Sequence, residues 1–324
     1  MRVPRSLVLL AAALVGLTVP SGAQGAVPAR PGDYPDRPVQ VIVAFGAGGG
    51  TDVAARTVFR AAERLSGAAF PVVNRPGASG ELGWTAIATA RPDGYTIGMV
   101  NPPAFVILPI TRPTARYTID SFDYIANIVR DPGTILVRAD SPLKNMKDLV
   151  AAAKKADGAF SIAYSGPGTA EAVALDQLER SQGITLNKIP FDGTAPSLTA
   201  LIGGNVDAMS ANISELIGQI RQGQLRSLGV AATERVDMVP DVPTWREQGI
   251  DIQQVAYRGI AAPKGLPPER LEYLAQLIRA VVEDPEFRRQ AAELSLPLHY
   301  LGPKEFREAI VQMRNTLQPA LEKK

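Results

Sequence analysis

The fold of this chain is decided by the segment VQVIVAFGAGGGTDVAARTV at residues 39–58. Its first seven residues are mostly β-branched or apolar, which predicts a buried β-strand. A glycine-rich turn follows, and the alanine-rich remainder has the apolar spacing of a helix. A strand, a short turn and a helix in this order form the basic unit of an α/β fold.

The same plan recurs at residues 159–178, in the segment AFSIAYSGPGTAEAVALDQL. Each segment has an apolar strand that ends in an aromatic residue, a glycine-rich turn, a threonine and an alanine-rich helix. The two segments begin more than 100 residues apart. We therefore expect each of them to belong to a separate lobe.

Predicted strands and helices alternate along the rest of the chain, which favours parallel or mixed sheets with helices on both faces. Two strand-like runs between residues 125 and 138 are separated by Asp131-Pro132-Gly133, where we place the first crossing between lobes. The second crossing is placed near residue 254. The prediction is an α/β protein with mixed sheets flanked by helices, with lobe 1 at residues 34–131 and 254–324 and lobe 2 at residues 132–253.

The first 25 residues have the pattern of a cleaved signal peptide. Arg2 and Arg5 are basic, an apolar stretch runs from residue 7 to 19, and Ala23 and Gly25 stand at the −3 and −1 positions of a cleavage site. The alternative is a membrane anchor, but the stretch is short for a bilayer span. We therefore expect a mature, periplasmic protein outside the cytoplasmic membrane.

Charge and cysteine content exclude several classes of function. Loss of residues 1–25 removes two arginines, so the formal charge falls from +2 to about zero, which argues against a nucleic-acid partner. The chain has no cysteine, so it has neither disulfides nor a lipid-modified N-terminal cysteine. With His299 as the single histidine, we predict no zinc site, no Cys/His nucleophile and no cofactor.

The two glycine-rich turns are candidate anion sites. A turn between a strand and a helix exposes backbone N–H groups at the positive end of the helix dipole, and glycine lets a ligand approach the backbone. The alternative is that the glycines only form tight turns. The candidate donors are the amides of residues 47–52 and the Thr51 hydroxyl in the first turn, and Ser165, Gly166, Gly168 and Thr169 in the second.

Other motifs do not fit these glycines. A dinucleotide fingerprint needs a third glycine where the chain has Thr51 or Val53, and a P-loop needs a lysine where the chain continues with Thr51-Asp52. No G-x-S-x-G nucleophile motif is present. Asp52 has two interpretations: it stabilises the first turn of its own helix, or it receives an amine or hydroxyl group of a ligand.

A series of further motifs resembles one known family. YPDRPVQVIVAFGAGGGTDVAAR is followed by NRPGASG, ARPDGYTIGM, AYSGPGTAEAVA, IPFDGTAPSLTALIGGNVDAM and VPDVPTWREQGI. In this order, over roughly residues 34–315, they resemble the Bug family of periplasmic binding proteins. These proteins are the extracytoplasmic receptors of tripartite tricarboxylate transporters.

The resemblance implies a type II periplasmic-binding-protein fold, in which two lobes close on a carboxylate like a Venus flytrap. It implies a small carboxylate ligand, membrane transporter subunits as partners, and a monomer without enzymatic activity. The ligand-binding residues that it implies, together with positions at further cleft loops, are Phe45, Ala47, Gly48, Thr51, Asp52, Asn101, Ser165, Gly166, Gly168, Thr169, Phe191, Asp192 and Asn212.

The chain departs from the family pattern at the cleft. Ala44 and Gly46 replace the prolines that flank the aromatic residue of the first turn, and Asn101 stands where the family often has serine or threonine. Asp192 replaces a lysine, and an acid there disfavours a highly anionic ligand. We expect a monocarboxylate, or a carboxylate with an apolar or amine-bearing body.

Two other functions remain open from the sequence. An exported α/β enzyme would need a nucleophile with a base or a metal cluster, and neither is evident. A ligand-loaded sensor component that signals to a membrane receptor would have the same sequence features as a transport receptor.

Overall fold

The computed structural model describes residues 27–191 and 193–321. The predicted signal peptide and Asp192 lie outside these residues. None of the helices in the described part combines the length and apolar character needed to span a bilayer.

The chain begins with alternating strands and helices, as the sequence predicts. The first segment, residues 39–58, forms a strand and most of a helix joined by the glycine-rich turn. The elements up to the first crossing are β1 (Gln40–Val43), α1 (Gly50–Ser66), β2 (Val72–Asn74), α2 (Glu81–Ala88), β3 (Thr96–Val100), α3 (Ala104–Thr111) and β4 (Phe122–Arg138).

The middle of the chain repeats the alternation, and residues 159–178 again form a strand, a glycine-rich turn and a helix. These elements are α4 (Met146–Ala156), β5 (Ser161–Tyr164), α5 (Ala170–Gln182), β6 (Asn187–Pro190), α6 (Thr194–Ile202), β7 (Ala208–Asn212), α7 (Ile213–Arg221) and β8 (Leu225–Val230).

The last part of the chain returns to the first sheet and is mostly helical. Its elements are β9 (Val255–Pro263), α8 (Pro268–Glu283), α9 (Pro285–Glu293), β10 (Leu298–Leu301) and α10 (Pro303–Leu321).

The strands form a mixed sheet in the order β2-β1-β3-β9-β4-β7-β5-β6, with β8 and β10 also paired to β4. Parallel pairs join β1 to β2 and β3, and β5 to β6 and β7, whereas β9 is antiparallel to both β3 and β4. We call the β1, β2, β3, β9 and β10 side with its helices lobe 1, and the β5–β8 side lobe 2.

β4 is one strand of 17 residues, and the prediction of two runs separated at Asp131-Pro132-Gly133 is wrong. The strand changes partner there instead of ending: up to Pro132 it pairs with β9, and from Gly133 it pairs with β7. The Gly133 N–H donates to the Gln254 carbonyl at 2.7 Å, so hydrogen bonding continues through the change. Pro132 fits this position because no backbone N–H donor is needed there.

Each lobe has its own apolar core. In lobe 1, α1 and α8 cover one face of the sheet, and Trp84 of α2 and Phe105 of α3 lie in a cluster on the other face. In lobe 2, Leu175 of α5 packs with Trp245 in one cluster, and α6 and α7 contribute to another. Separate cores of this kind let the lobes move as units.

The sequence pattern did not predict α3. Its sequence, AFVILPIT, is apolar on almost all sides, and its first five residues are all buried. A helix buried all round has no amphipathic period by which to recognise it. Near the end of the chain, β10 is a short edge strand that contains His299 and pairs with β4, between two helices.

Candidate functional site

The first-lobe turn lies between β1 and α1 and is held in shape by Asp52. Asp52 accepts a hydrogen bond from the Gly48 N–H at 2.9 Å, and Asn74 Nδ2 donates to it at 2.8 Å. Arg56 Nε lies 3.1 Å from both of its carboxylate oxygens. Burial alone would raise the pKa of Asp52, but these hydrogen bonds outweigh burial and lower it.

These contacts favour the first interpretation of Asp52, which is that it stabilises its own helix and turn. Both oxygens have partners within lobe 1, and the side chain is buried. Gly48 adopts φ +79°, a left-handed conformation that suits glycine. Ala47 and Gly48 are exposed, so their backbone is accessible to a ligand. Direct ligand contact by Asp52 stays a prediction.

Thr51 and Asn101 are brought together although they lie 50 residues apart. Asn101 follows β3 and donates from Nδ2 to the Thr51 hydroxyl at 2.8 Å. Its Oδ1 is buried and has no hydrogen-bond partner. Phe45, half-buried, packs edge-on against Trp84 with ring centres 5.9 Å apart. The ends of β1 and β3 thus lie side by side, and the Asn101 Oδ1 acceptor between them is unsatisfied.

The second-lobe turn lies between β5 and α5. Gly166 and Gly168 adopt φ +102° and +81°, and Pro167 between them is exposed. Thr169 caps α5: its hydroxyl accepts from the Ala172 N–H at 3.4 Å and donates to the Gly166 carbonyl at 2.8 Å. These bonds fix the turn, and they do not use the Ser165 hydroxyl.

The second-lobe turn lies against lobe 1. A Cβ atom on Gly168 would stand 3.2 Å from Leu108 of α3, and one on Gly166 would stand 4.0 Å from Ser79 Oγ and 3.8 Å from the Phe191 carbonyl. The Phe191 N–H donates to the Tyr164 carbonyl at 2.9 Å, which joins the ends of β5 and β6. The structure therefore has the two lobes closed on each other.

A buried group of charges that no sequence pattern predicts crosses between the lobes. Arg258 of β9, 2% exposed, donates to Asp131 of β4 at 2.7 Å and to Glu215 of α7 at 2.9 Å. Burial alone would lower the pKa of Arg258, but Asp131 and Glu215 outweigh burial and raise it. A Cβ atom on Gly50 would lie 2.6 Å from both Arg258 Nη2 and Glu215 Oε1. Glu215 of lobe 2 thus lies at the first turn of α1.

Glu171 is a third acid that no sequence pattern predicts. It lies in the first turn of α5 and is 4% exposed. Burial, with a smaller contribution from the charge of Glu215, raises its pKa to about 7, and hydrogen bonds with its own N–H, Thr169 and Ser165 oppose this rise. An acid in the first turn of a helix normally indicates only favourable interaction with the dipole, so the sequence gives no distinctive signal.

Asn212 lies at the junction of β7 and α7, where it is 6% exposed. Its Oδ1 has no hydrogen-bond partner. Asn212 pairs with Gly133 of β4, next to the change of partners in that strand. Asp192, the remaining predicted position, lies outside the described residues.

No group of three or more His, Cys, Asp or Glu side chains within residues 27–191 and 193–321 is placed to hold a metal ion. His299 lies on β10, and its carbonyl accepts a hydrogen bond from Asn127 Nδ2 at 2.7 Å.

Two closed lobes, each with a glycine-rich turn at a helix N-terminus, define a protein of the two-lobed periplasmic-binding class. Residues 54–319 match the family model described as TctC, the tripartite tricarboxylate transporter family receptor. The chain therefore belongs to that family.

Curated relatives give the same result. A UPF0065 protein in the gbd 5′ region of Cupriavidus necator is 30% identical, with 84% of this chain and 83% of the relative covered. A second UPF0065 protein, from Bordetella bronchiseptica, is 32% identical, with 86% of this chain and 80% of the relative covered. The similarity thus extends over most of both chains.

Solved structures confirm the two-lobed fold. The periplasmic binding protein BugD is 31% identical, with a TM-score of 0.81 over 90% of this chain and 98% of that one. MatC from Rhodopseudomonas palustris, solved with bound malate, is 28% identical, with a TM-score of 0.80 over 89% of this chain and 100% of that one.

Proposed function

We propose that this protein is an extracytoplasmic receptor that captures a small carboxylate between its lobes and delivers it to a tripartite tricarboxylate-type transporter. The observation that carries the proposal is the pair of glycine-rich turns, one in each lobe, at the N-termini of α1 and α5. Helix N-termini bind anions through free N–H groups and the helix dipole. MatC, of the same fold, binds malate, a carboxylate.

The energies are sufficient without an arginine that binds the ligand. A hydrogen bond to a charged acceptor contributes about 1.5–3 kcal/mol, and a helix terminus adds about 0.3–1 kcal/mol. Micromolar affinity corresponds to about −8 kcal/mol. A few amide donors from each turn therefore give binding of that order, once the cost of association is met.

The proposal includes the finer points of organisation. The protein is exported by a cleaved signal peptide, acts in the periplasm as a monomer and releases its ligand without turnover. Its lobes are residues 34–131 with 254–324, and residues 132–253. The change of partners within β4 at residues 132–133 supports the first boundary.

The test is thermal unfolding of the mature protein, residues 26–324, with a panel of carboxylic acids and their amides. A ligand at 100 times its dissociation constant stabilises the protein by about 2.7 kcal/mol. We expect one class of acid to raise the melting temperature while the matched amide does not. If neutral solutes stabilise and no acid does, carboxylate binding by the turns is wrong.

Gly48→Val tests the first turn directly. A side chain at φ +79° costs about 1–2 kcal/mol and covers the amides at which the carboxylate would bind. We expect the variant to remain folded but to bind the acid at least tenfold more weakly. Gly46→Val is the matched control, because Gly46 is exposed, has no positive φ and leaves a Cβ atom with nothing within 4 Å. Equal affinity of the two variants would contradict a role for the Gly48 region.

A further inference from the structure

The acids around Arg258 carry more negative charge than this arginine balances. Asp131 and Glu215 both contact Arg258, so two acids share one guanidinium. The charge of Glu215 also acts on Glu171, which adds a third acid on the far side of Glu215. Asp131, Glu171 and Arg258 are almost fully buried. A buried charge without a partner is costly, so a cluster with excess negative charge favours a cation or proton.

Unsatisfied hydrogen-bond acceptors point to the same chemistry. Asn212 Oδ1 and Asn101 Oδ1 are buried, and neither has a donor. Asn212, in lobe 2, ends β7, which pairs with the strand before the second glycine-rich turn. Asn101, in lobe 1, follows β3, which pairs with the strand before the first. A buried acceptor without a donor is costly, so a ligand group that donates a hydrogen bond to it binds more favourably.

The sheet geometry directs Asn212 to the side of Glu171. β5 and β7 are parallel, with Ile162 opposite Ala208. Because side chains alternate along a strand, Asn212 faces the same side as Ala208. Ala208 packs in the core cluster that contains the α5 helix, and α5 begins beside Glu171. The free acceptor of Asn212 therefore lies on the sheet face that carries this acid.

We propose that Glu171, Glu215 and Asn212 form an ammonium subsite beside the second-lobe turn, so that the ligand is an amine-bearing carboxylate. The inference rests on the proposed function, because the turns bind the carboxylate of the same ligand. The ammonium donates to Asn212 Oδ1, which otherwise has no donor, and its charge balances the excess acid of Glu171 and Glu215. A di- or tricarboxylate would bring more negative charge next to Glu171 and Glu215.

Matched pairs of ligands give the first test. Isothermal titration compares amino acids with the same acids lacking the amine, such as phenylalanine with 3-phenylpropanoate, and includes malate. We expect the amine-bearing member of at least one pair to bind tenfold or more tightly than its partner and than malate. Tighter binding of malate or of the acids without an amine would overturn the subsite but leave the carboxylate receptor intact. Absence of binding by every acid would instead overturn the receptor itself.

Glu171→Gln tests the acid with little change in shape. We expect affinity for the amine-bearing ligand to fall at least tenfold, and affinity for its partner without the amine to stay the same or rise. Glu179→Gln is the control, because Glu179 lies on the same helix but pairs with Lys188. An equal loss for both members of the pair would indicate a merely structural role and overturn the subsite.

The direction of proton exchange gives a readout that a structural role would not change. The charged groups that face Glu171 are Glu215 of α7 and, beyond it, Arg258 and Asp131. With its pKa raised to about 7, Glu171 is about half protonated at pH 7. An arriving ammonium lowers that pKa, so binding should release about half a proton at pH 7 and much less at pH 8, where Glu171 is already mostly ionised and the ligand amine is still mostly protonated.

The proton count is measured by titration in buffers of different ionisation enthalpy. Release at pH 7 that disappears in Glu171→Gln supports the ammonium subsite. Uptake of protons on binding at pH 7 would place an anionic group beside Glu171 and overturn the subsite.

Discussion

At the residue scale, Asp52 is the side chain on which the first turn depends. Its contacts with Gly48, Arg56 and Asn74 connect the turn, α1 and β2. Because the pKa of Asp52 is lowered in the folded state, its ionised form stabilises the protein at neutral pH. That contribution is present above the unfolded pKa of about 3.9 and is lost as the pH falls through the lower folded value.

Asp52→Asn should therefore lower the free energy of unfolding by about 1–3 kcal/mol at pH 7, the contribution of hydrogen bonds to a charged group. The difference from the unsubstituted protein should shrink near pH 3. Urea unfolding at both pH values measures it. Asp251→Asn is the control, because Asp251 is exposed and its pair with Arg246 is 3.6 Å long, so a change below about 0.5 kcal/mol is expected. A difference that is the same at both pH values would contradict the role of the charge.

The residues of the site differ in how far the sequence reveals them. The two glycine-rich turns were predicted because local sequence determines a tight turn at a helix start. Arg258 and Asp131 were not predicted, since each acquires the other as a partner only when β9 lies beside β4. Glu171 has an ordinary position in the first turn of a helix, and its burial depends on the contact with the rest of the molecule.

At the element scale, β4 differs most from its prediction, and Gly133 explains why it continues. A Cβ atom at residue 133 would stand 2.0 Å from Gln254 Cδ. Gln254 cannot move freely, because Ser210 donates to its Oε1 at 3.0 Å and its Nε2 donates to the Ala211 carbonyl. From the sequence, Pro132 and Gly133 indicated a break between two strands. In the structure, Gly133 instead allows Gln254 to approach the backbone closely where β4 changes its partner from β9 to β7.

Gly133→Ala should lower the free energy of unfolding by about 1–3 kcal/mol, because the added methyl group displaces Gln254 and its hydrogen bonds. Gly218→Ala in α7 is the matched control: nothing lies within 4 Å of its Cβ position, and alanine favours the helix by about 0.8–1 kcal/mol. Urea unfolding should therefore show opposite signs for the two variants. Equal stability of Gly133→Ala and the unsubstituted protein would contradict the tight contact.

At the scale of the whole molecule, the two strands that join the lobes also carry the charges that hold them together. Asp131 lies on β4 and Arg258 on β9, while Glu215 belongs to α7 of lobe 2. The Arg258–Glu215 pair is one of the contacts that favour the closed arrangement. Two-lobed binding proteins change shape by hinge motion around their ligand. The closed state should therefore depend both on this pair and on the ligand.

Glu215→Gln weakens the pair and should shift the ligand-free protein towards an open state. A compact chain of about 300 residues has a radius of gyration of about 19 Å, and small-angle scattering of the ligand-free variant should give a larger value than the unsubstituted protein. Excess ligand should restore the smaller value. Only the closed fraction retains the ligand, and Glu215 also belongs to the proposed ammonium subsite, so the apparent affinity should fall at least in proportion to that fraction. Glu247→Gln, which removes an exposed pair with Arg235 within lobe 2, is the control and should leave the radius unchanged. Identical scattering of the two ligand-free variants would show that the pair does not hold the lobes closed.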